Sequence, residues 1–319
     1  MILTITPNPA VDVTCRIPAL QGGGAYTVDP LALQAAGKGV NVSLVLSRLG
    51  VASTAAALVG TADLALYEAA LAGTSVKGLF TPAGPATRRN LTLLADAQAG
   101  DLHLRERGSP VTPAQVEAFE AGVLEAARSA DVVAMAGSLP PGFSPERAAS
   151  LLARCRAGGA LTVLDAEGPV LAAGANAADL IKCNLAELAG LCRRGEGWAD
   201  SILAADEATL RRELSVLTAE APCPNVCVTC GRRGAMLRTG ASAWHGRLEA
   251  PGKVLNTTGA GDAFLAGYLW GAHSGDEPPA RLAKALACGT ASCLAEGTAD
   301  VDPALVARLL PTVEVSVVR

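Results

Sequence analysis

The sequence predicts an α/β fold, in which a doubly wound, mostly parallel sheet carries helices on both faces. Apolar, strand-like runs alternate with helical patterns along most of the 319 residues, as in sheets built from strand–helix–strand units. Hydrophobic residues make up 50% of the chain and aromatic residues only 3%, which indicates a large core of small aliphatic side chains. Because no long linker, low-complexity tract or internal repeat interrupts the pattern, residues 1–319 are predicted to form one domain.

Six apolar runs are predicted strands of the main sheet. They are residues 2–6, 53–59, 132–136, 161–165, 180–183 and 226–229. Ligands of doubly wound sheets bind at the carboxyl ends of the strands, so functional residues are expected there.

Eight segments carry helical patterns, and two of them have clear start signals. Thr112 and Gln115 form a capping box around Pro113, and Ser144 followed by Pro145 repeats the pattern of a cap and then a proline. The predicted helices are residues 40–49, 113–128, 145–155, 185–192, 207–218, 260–272, 280–294 and 303–310.

Two stretches break the alternation of strands and helices. Residues 11–28 contain three successive glycines at 22–24, and residues 87–107 alternate polar and apolar side chains without helix signals. Both are predicted to form extra strands outside the main sheet.

Composition excludes several classes of function. A net charge of −4 provides no basic stripe for nucleic acid, so an anionic substrate must be held by a few placed cations. No uncharged apolar stretch approaches the ~18 residues of a membrane span, and the first residues lack the basic region of a signal peptide. The nine scattered cysteines suit reduced thiols in the cytoplasm, and the pair Cys227 and Cys230 lies in a strand-like run, as core cysteines do.

Residues 256–264, with the sequence NTTGAGDAF, are the most informative segment. Gly259 and Gly261 let the backbone approach a ligand closely. The free amides of Ala260, Gly261 and Asp262 at a helix N-terminus favour an anion. Asp262 in the same turn is suited to take a proton from a hydroxyl while charge builds on a transferred phosphoryl group. An ordinary helix start is the alternative for this pattern by itself.

Other nucleotide-binding motifs do not fit. Lys38 is followed by Gly39, where a Walker A loop needs Ser or Thr, and no G-x-G-x-x-G occurs. The HRD and DFG elements of a protein kinase are also missing from the sequence. The three histidines are too dispersed for a convincing triad or zinc site.

The NTTGAGDAF segment resembles the C-terminal signature of the ribokinase-like sugar kinases, also called the PfkB family. Five more segments resemble family segments in the same order, so the resemblance covers essentially the whole chain. They are TPNPAVDVT at 6–14, GKGVNV at 37–42, TRRN at 87–90, AGSLPPG at 136–142 and KCNLAEL at 182–188. The first of them looks like the opening of 1-phosphofructokinases and tagatose-6-phosphate kinases. The resemblance implies a ribokinase-like fold with a small β-lid from about 11–28 and 87–107, which covers the sugar and often makes a homodimer contact.

The resemblance implies ATP and Mg²⁺ as cofactors, with Asp262 as the base beside Gly259, Ala260 and Gly261. Asn184 and Glu187 match the element that organises the metal through water, although they also suit a helix cap. Cys183 stands where the family has proline, and the preceding Lys182 is expected to contact a phosphate. The implied ATP-binding residues are Lys182, Asn184, Thr229, Gly231, Gly234, Gly289 and Ser292; by pattern alone, residues 229–234 equally suit a strand and a hairpin.

On the acceptor side, the resemblance implies that Asp12 binds two sugar hydroxyls. Lys38, Asn41 and Arg88 are expected to hold the phosphate already on the sugar. A helix start with solvated side chains is the alternative for Lys38 and Asn41, and a solvated strand edge for Arg88. The implied substrate-binding residues are Asp12, Gly37, Lys38, Asn41, Arg88, Asn90 and Ser138.

These residues lead to an expected function: ATP-dependent phosphorylation of a ketohexose phosphate, foremost fructose 1-phosphate to fructose 1,6-bisphosphate. Tagatose 6-phosphate and fructose 6-phosphate are alternative acceptors within the same family. A non-catalytic regulator that binds a sugar phosphate is the alternative of another class, but it would have no need of Asp262. Residues 58–63 form a short segment where the family usually has a glycine-rich run, which leaves the shape of the pocket and the acceptor's identity open.

Overall fold

Two separate sheets organise the fold. The structure is a computed structural model and describes residues 1–17, 19, 25–28, 30–95 and 102–318. The strands in these residues are β1 Ile2–Thr6, β2 Ala10–Ile17, β3 Pro30–Ala36, β4 Ser53–Val59, β5 Val76–Pro82, β6 Arg88–Ala95, β7 Leu102–Arg105, β8 Val132–Ala136, β9 Leu161–Asp165, β10 Leu180–Asn184, β11 Asn225–Thr229, β12 Ala235–Thr239, β13 Ser242–Arg247 and β14 Glu314–Val318.

The main sheet has the order β14-β13-β12-β11-β10-β9-β8-β1-β4-β5. The strands from β11 to β5 pair in parallel, and β12, β13 and β14 extend the sheet antiparallel at one edge. The carboxyl ends of β1, β8, β9, β10 and β11 therefore meet at one edge, where a doubly wound sheet binds its ligands.

Helices cover both faces of this sheet. They are α1 Lys38–Arg48, α2 Leu64–Leu71, α3 Pro113–Ala127, α4 Pro145–Ala157, α5 Gly168–Gly174, α6 Leu185–Leu191, α7 Trp198–Ala204, α8 Glu207–Glu220, α9 Ala260–His273, α10 Pro278–Cys293 and α11 Pro303–Leu309. Ile2 of β1 belongs to a core cluster with α1, α9 and α10, whereas its neighbour Leu3 belongs to a cluster with α3, α4 and α8. This alternation is the period of two of a strand that is buried on both sides.

A second, four-stranded sheet has the order β3-β2-β6-β7. The pair β2 and β6 is parallel, and the outer pairs are antiparallel. Both stretches that break the alternation contribute to it, since β2 lies within 10–17 and β6 and β7 within 88–105. The glycines at 22–24 lie outside the described residues. Strand β3 was not predicted and lies just beyond the first stretch.

The predicted α/β class is confirmed, and every predicted strand and helix is present with ends that differ by at most two residues. The prediction missed β5, β12, β13, β14 and three short helices, α2, α5 and α7. Strand β5 is an edge strand with exposed Lys77 and Gly78, so it lacks the continuous apolar run of a central strand. In the part of the chain that the structure describes, no helix has the length and apolarity to cross a membrane.

Candidate active site

Asp262 lies in the first turn of α9 with only 7% of its surface exposed. Gly259 caps this helix with φ of 79°, and a Cβ atom there would lie 2.4 Å from the backbone nitrogen of Ala299, so the position requires glycine. Asn41 Nδ2 donates to Asp262 Oδ2 at 2.8 Å, while Oδ1 has no hydrogen-bond partner among the described residues. Burial raises the pKa of Asp262 to about 6. The hydrogen bond from Asn41 lowers this pKa, and the negative charge of Asp165 raises it further. Asp262 is therefore a stronger base than an ordinary aspartate, yet ionised at neutral pH.

Two backbone amides, not three, are open at this helix start. The amide of Ala260 donates to the carbonyl oxygen of Thr257 at 3.2 Å, and its role toward a phosphate stays a prediction. The amides of Gly261 and Asp262 have no backbone partner among the described residues. They remain available to an anion at the positive end of the helix dipole.

A buried carboxylate joins two lysines beside this helix start. Asp165, at the end of β9, accepts from Lys38 Nζ at 3.0 Å and from Lys182 Nζ at 2.6 Å. Burial alone would raise the pKa of Asp165, but the ammonium groups of Lys182 and Lys38 hold it below its ordinary value. Lys182 Nζ would lie 3.1 Å from a Cβ atom on Gly261, so this cation stands next to the two open amides.

Lys38 lies on the Asp262 side of the site. Its pKa is raised, first by the charge of Asp165 and further by that of Asp262. The groups that shift the pKa of Arg88 are instead its own burial and its neighbours on the second sheet. The two cations that were predicted to hold one sugar phosphate thus have different charged neighbours.

Asn184 and Glu187 form a reciprocal capping box at the start of α6. The amide of Glu187 donates to Asn184 Oδ1, and the amide of Asn184 donates to Glu187 Oε2, both at 2.8 Å. The helix-cap alternative for this pair is therefore present. Glu187 Oε1 has no partner among the described residues, and burial raises the pKa of this side chain.

A cavity of about 800 Å³ lies beside the start of α9. Five of the seven predicted ATP-binding residues line it: Asn184, Thr229, Gly231, Gly234 and Gly289. Ala260 and Gly261 of the predicted catalytic segment line it as well, whereas Lys182 does not. Ser292 is fully buried outside this lining, so its predicted place in the cavity wall is wrong. Gly289 lies on the cavity side of α10, where a Cβ atom would come within 3.2 Å of Phe264 Cβ on α9.

Two neighbouring arginines in the cavity wall differ in their contacts. Arg233 donates to the carbonyl oxygens of Leu203 and Ala205, both at 2.9 Å, and pairs with Glu207 at 3.2 Å. It thereby joins the loop after β11 to the end of α7. Arg232 is exposed and forms no ion pair or side-chain hydrogen bond within the described part of the chain.

The predicted acceptor residues lie at the second sheet and at the end of β1. Asn90 Nδ2 donates to Asp12 Oδ1 at 2.8 Å, and Asp12 lines a cavity of about 290 Å³ together with Asn41. Arg88 donates through Nε to the carbonyl oxygen of Pro9 at 3.2 Å. Ser138, which follows β8, accepts from Asn8 Nδ2 at 3.0 Å.

Gly37 and Gly39 bring the start of α1 against the end of β1. A Cβ atom on Gly39 would lie 2.5 Å from Thr6 Oγ1. This close approach brings Lys38 and Asn41 to the site, where they bind Asp165 and Asp262 respectively.

Comparisons with known proteins agree with this geometry. Residues 10–305 match the profile of the pfkB family carbohydrate kinases. The chain belongs to this family. It is 33% identical to a 1-phosphofructokinase of Vibrio cholerae over 281 residues, which covers 85% of this chain and 82% of that protein. It is 32% identical to a 1-phosphofructokinase of Rhodobacter capsulatus, with 90% and 89% covered.

A solved structure shows the same fold. A mutant of phosphofructokinase-2 from Escherichia coli superimposes with a TM-score of 0.86 at 22% identity, and 97% of this chain and 98% of that chain are covered. The protein is therefore a carbohydrate kinase with a ribokinase-like fold, and ATP is the phosphoryl donor that this family implies.

Sequence reasoning missed two residues of this kinase site. Asp165, which holds both lysines, was seen only as the last residue of a predicted strand. Its position at the carboxyl end of a buried parallel strand was the available signal. Asn8, which holds Ser138, lies inside the TPNPAVDVT segment but was given no role.

The segment 58–63 and the helix that follows it support the strands of the second sheet where these adjoin the main sheet. A Cβ atom on Gly60 would lie 2.1 Å from the backbone of Ala86. Asp63 binds the guanidinium of Arg89 on β6 through both oxygens, at 2.8 and 3.0 Å. Tyr67 Oη lies 2.6 and 2.7 Å from the carbonyl oxygens of Ala10, the first residue of β2, and Ala36, the last residue of β3.

Proposed function

We propose that this kinase transfers the γ-phosphoryl group of ATP to the free primary hydroxyl of fructose 1-phosphate, giving ADP and fructose 1,6-bisphosphate. One observation carries the chemistry: Asp262, with Oδ1 free of partners among the described residues, is joined to residues of both cavities. Ala260 and Gly261 line the larger cavity, and Asn41, which binds Asp262, lines the smaller one with Asp12. The relatives named 1-phosphofructokinase, at 33% and 32% identity, support the choice of acceptor.

In the proposed step, Asp262 Oδ1 accepts the hydroxyl proton as the acceptor oxygen bonds to the γ-phosphorus. The bond from that phosphorus to the bridging oxygen breaks, and its electron pair leaves with ADP. The open amides of Gly261 and Asp262 and the ammonium groups of Lys182 and Lys38 would offset the charge on the transferred group. Asp165 would hold both lysines in place.

On the acceptor side, Asp12 and Asn90 would bind sugar hydroxyls, and Arg88 would bind the 1-phosphate. Base and phosphate contact would thus lie at opposite ends of the sugar. The larger cavity would hold ATP, with Gly231 and Gly234 close to its phosphates and Gly289 close to its base.

We further propose that Mg²⁺ acts with ATP. Asn184 and Glu187 would hold it through water, because the partially buried carboxylate of Glu187 keeps one oxygen without a partner among the described residues. Mg²⁺ commonly binds through water, one or two carboxylates and the phosphates of its substrate. When bound, it would neutralise phosphate charge.

The second sheet would act as a lid over the sugar and as a dimer contact. Leu33, Leu102 and Leu104 on its outer strands are 53%, 37% and 51% exposed, which supports a partner that covers them. The nine cysteines are free thiols, which supports a reducing, cytoplasmic setting.

A coupled assay of ADP release tests the proposal with fructose 1-phosphate, fructose 6-phosphate and tagatose 6-phosphate. We expect the highest kcat/KM with fructose 1-phosphate. A tenfold preference for tagatose 6-phosphate or fructose 6-phosphate would overturn the choice of acceptor and leave the chemistry intact. Absence of turnover with every phosphorylated sugar would overturn both.

A further inference from the structure

One row of polar residues crosses all four strands of the second sheet. The strand registers place Gln34 opposite Asp12, Asp12 opposite Asn90, and Asn90 opposite Arg105. Residues paired directly across neighbouring strands lie on the same face of a sheet. Arg88 precedes Asn90 by two residues, so it shares that face as well.

The hydrogen-bonding atoms in the middle of this row are only partly paired. Asn90 uses its nitrogen to bind Asp12 Oδ1, but Asn90 Oδ1 is buried without a hydrogen-bond partner in the described structure. An unpaired buried acceptor is costly. The face therefore suits a ligand that donates hydroxyl hydrogens at its centre.

The end of the row carries a cation without a partner. Arg105 is exposed on β7, and its side chain forms no ion pair or hydrogen bond with the described residues. Arg89, one strand away, is instead bound by Asp63 through both of its oxygens. Arg88 already donates to two carbonyl oxygens, those of Pro9 and Glu106.

Arg88 and Arg105 are close enough to repel each other. Burial lowers the pKa of Arg88, Asp12 opposes this change, and the charge of Arg105 lowers the pKa further. Asp12 is the carboxylate whose charge acts on both arginines. Glu106 is a second carboxylate that acts on Arg88, and its Oε2 accepts from the backbone amide of Arg89. Two guanidinium groups on one face still favour an anion with several acceptor oxygens, since such an anion can bind both of them.

We propose that Arg105 binds the phosphate already carried by the acceptor, as the second arginine of a pair with Arg88, and so contributes to selection of a phosphorylated sugar. This inference rests on the proposed function. Arg105 would supply the second cation for this phosphate in place of Lys38, because Lys38 lies beside Asp165 and Asp262. The alternative is an exposed charge that only keeps the edge strand β7 from pairing with other chains.

The test compares Arg105→Ala with Arg128→Ala, an exposed arginine paired with Glu125 at the end of α3. KM is measured for fructose 1-phosphate and ATP, kcat/KM for unphosphorylated fructose, and Ki for inorganic phosphate against fructose 1-phosphate. We expect Arg105→Ala to raise KM for fructose 1-phosphate and Ki for phosphate by about tenfold each. A tenfold change corresponds to the lower end of the free-energy range for a charge-assisted hydrogen bond. KM for ATP and the kcat/KM for fructose should stay within about twofold.

An Arg105→Ala enzyme with unchanged KM for fructose 1-phosphate and unchanged Ki for phosphate would overturn the inference. An equal rise in KM for ATP would overturn it as well. Arg105→Gln serves as a second variant if the alanine variant does not fold, as judged by circular dichroism. Wild-type turnover with fructose 1-phosphate separates the two hypotheses. If the wild type is active and the variants match it, only the role of Arg105 fails. If the wild type neither turns over nor binds any ketohexose phosphate in calorimetry, the proposed function fails and this inference fails with it.

Discussion

Asp262→Asn is expected to remove catalysis while the fold and ATP binding persist. With a pKa of about 6, the Asp262 carboxylate is about 97% ionised at pH 7.5, so nearly every enzyme molecule carries the base. The amide cannot accept the hydroxyl proton, and loss of a general base costs about 10²–10⁴ in rate, or about 2.7–5.4 kcal/mol of transition-state stabilisation.

The fold should tolerate this change because the amide has the shape of the carboxylate. Asn41 Nδ2 can still donate to the side-chain oxygen at position 262, whose hydrogen bond measures 2.8 Å in the wild type. The new NH₂ group lacks a partner, which costs about 1–3 kcal/mol in a buried position. We therefore expect a small decrease in Tm and near-normal ATP affinity.

The assay measures kcat by ADP release, ATP affinity by calorimetry and Tm by circular dichroism. Glu249→Gln is the matched control, since Glu249 is an exposed acid with no ion pair or side-chain hydrogen bond in the described part of the chain. More than a third of wild-type turnover in Asp262→Asn would refute the reasoning, because a positioned base cannot be that dispensable. Loss of ATP binding with lost activity would instead indicate a structural role.

Three further predictions follow from the same contacts. Because the raised pKa of Asp262 is about 6, kcat should fall about tenfold per pH unit below pH 6; a flat wild-type profile down to pH 5 would contradict this. Arg88→Ala should raise KM for the sugar phosphate by about one to two decades, from a charge-assisted bond of roughly 1.5–3 kcal/mol, and an equal rise in KM for ATP would place Arg88 on the nucleotide side. Asp165→Asn leaves Lys182 and Lys38 without their carboxylate and should lower the free energy of unfolding by about 3 kcal/mol, the low end for a broken buried pair, because Lys38 is 38% exposed. Urea denaturation measures this loss, and a change below about 1 kcal/mol would show that the lysines find other partners.

Much of the fold was accessible from the sequence because its signals are local. Apolar runs of four to seven residues predicted the buried parallel strands, and capping patterns such as Thr112 with Gln115 predicted helix starts that the structure contains. Edge elements were missed, as with β5 and β14, since a strand with exposed positions loses the apolar run.

The sequence by itself determined that Asp262 follows two glycines at a helix start, that Asp12 comes after the first strand, and that Asn184 directly follows a predicted strand. Each of these facts lies within a window of a few residues. Only the tertiary structure decided how these residues are paired: Asn41 binds Asp262 across 221 positions, and Lys38 binds Asp165 across 127. A charged side chain takes whichever counter-charge the fold brings within hydrogen-bond distance, and no local pattern records that distance. For this reason the segment around Lys38 was recognisable from its sequence, whereas the pairing of this lysine with Asp165 was not.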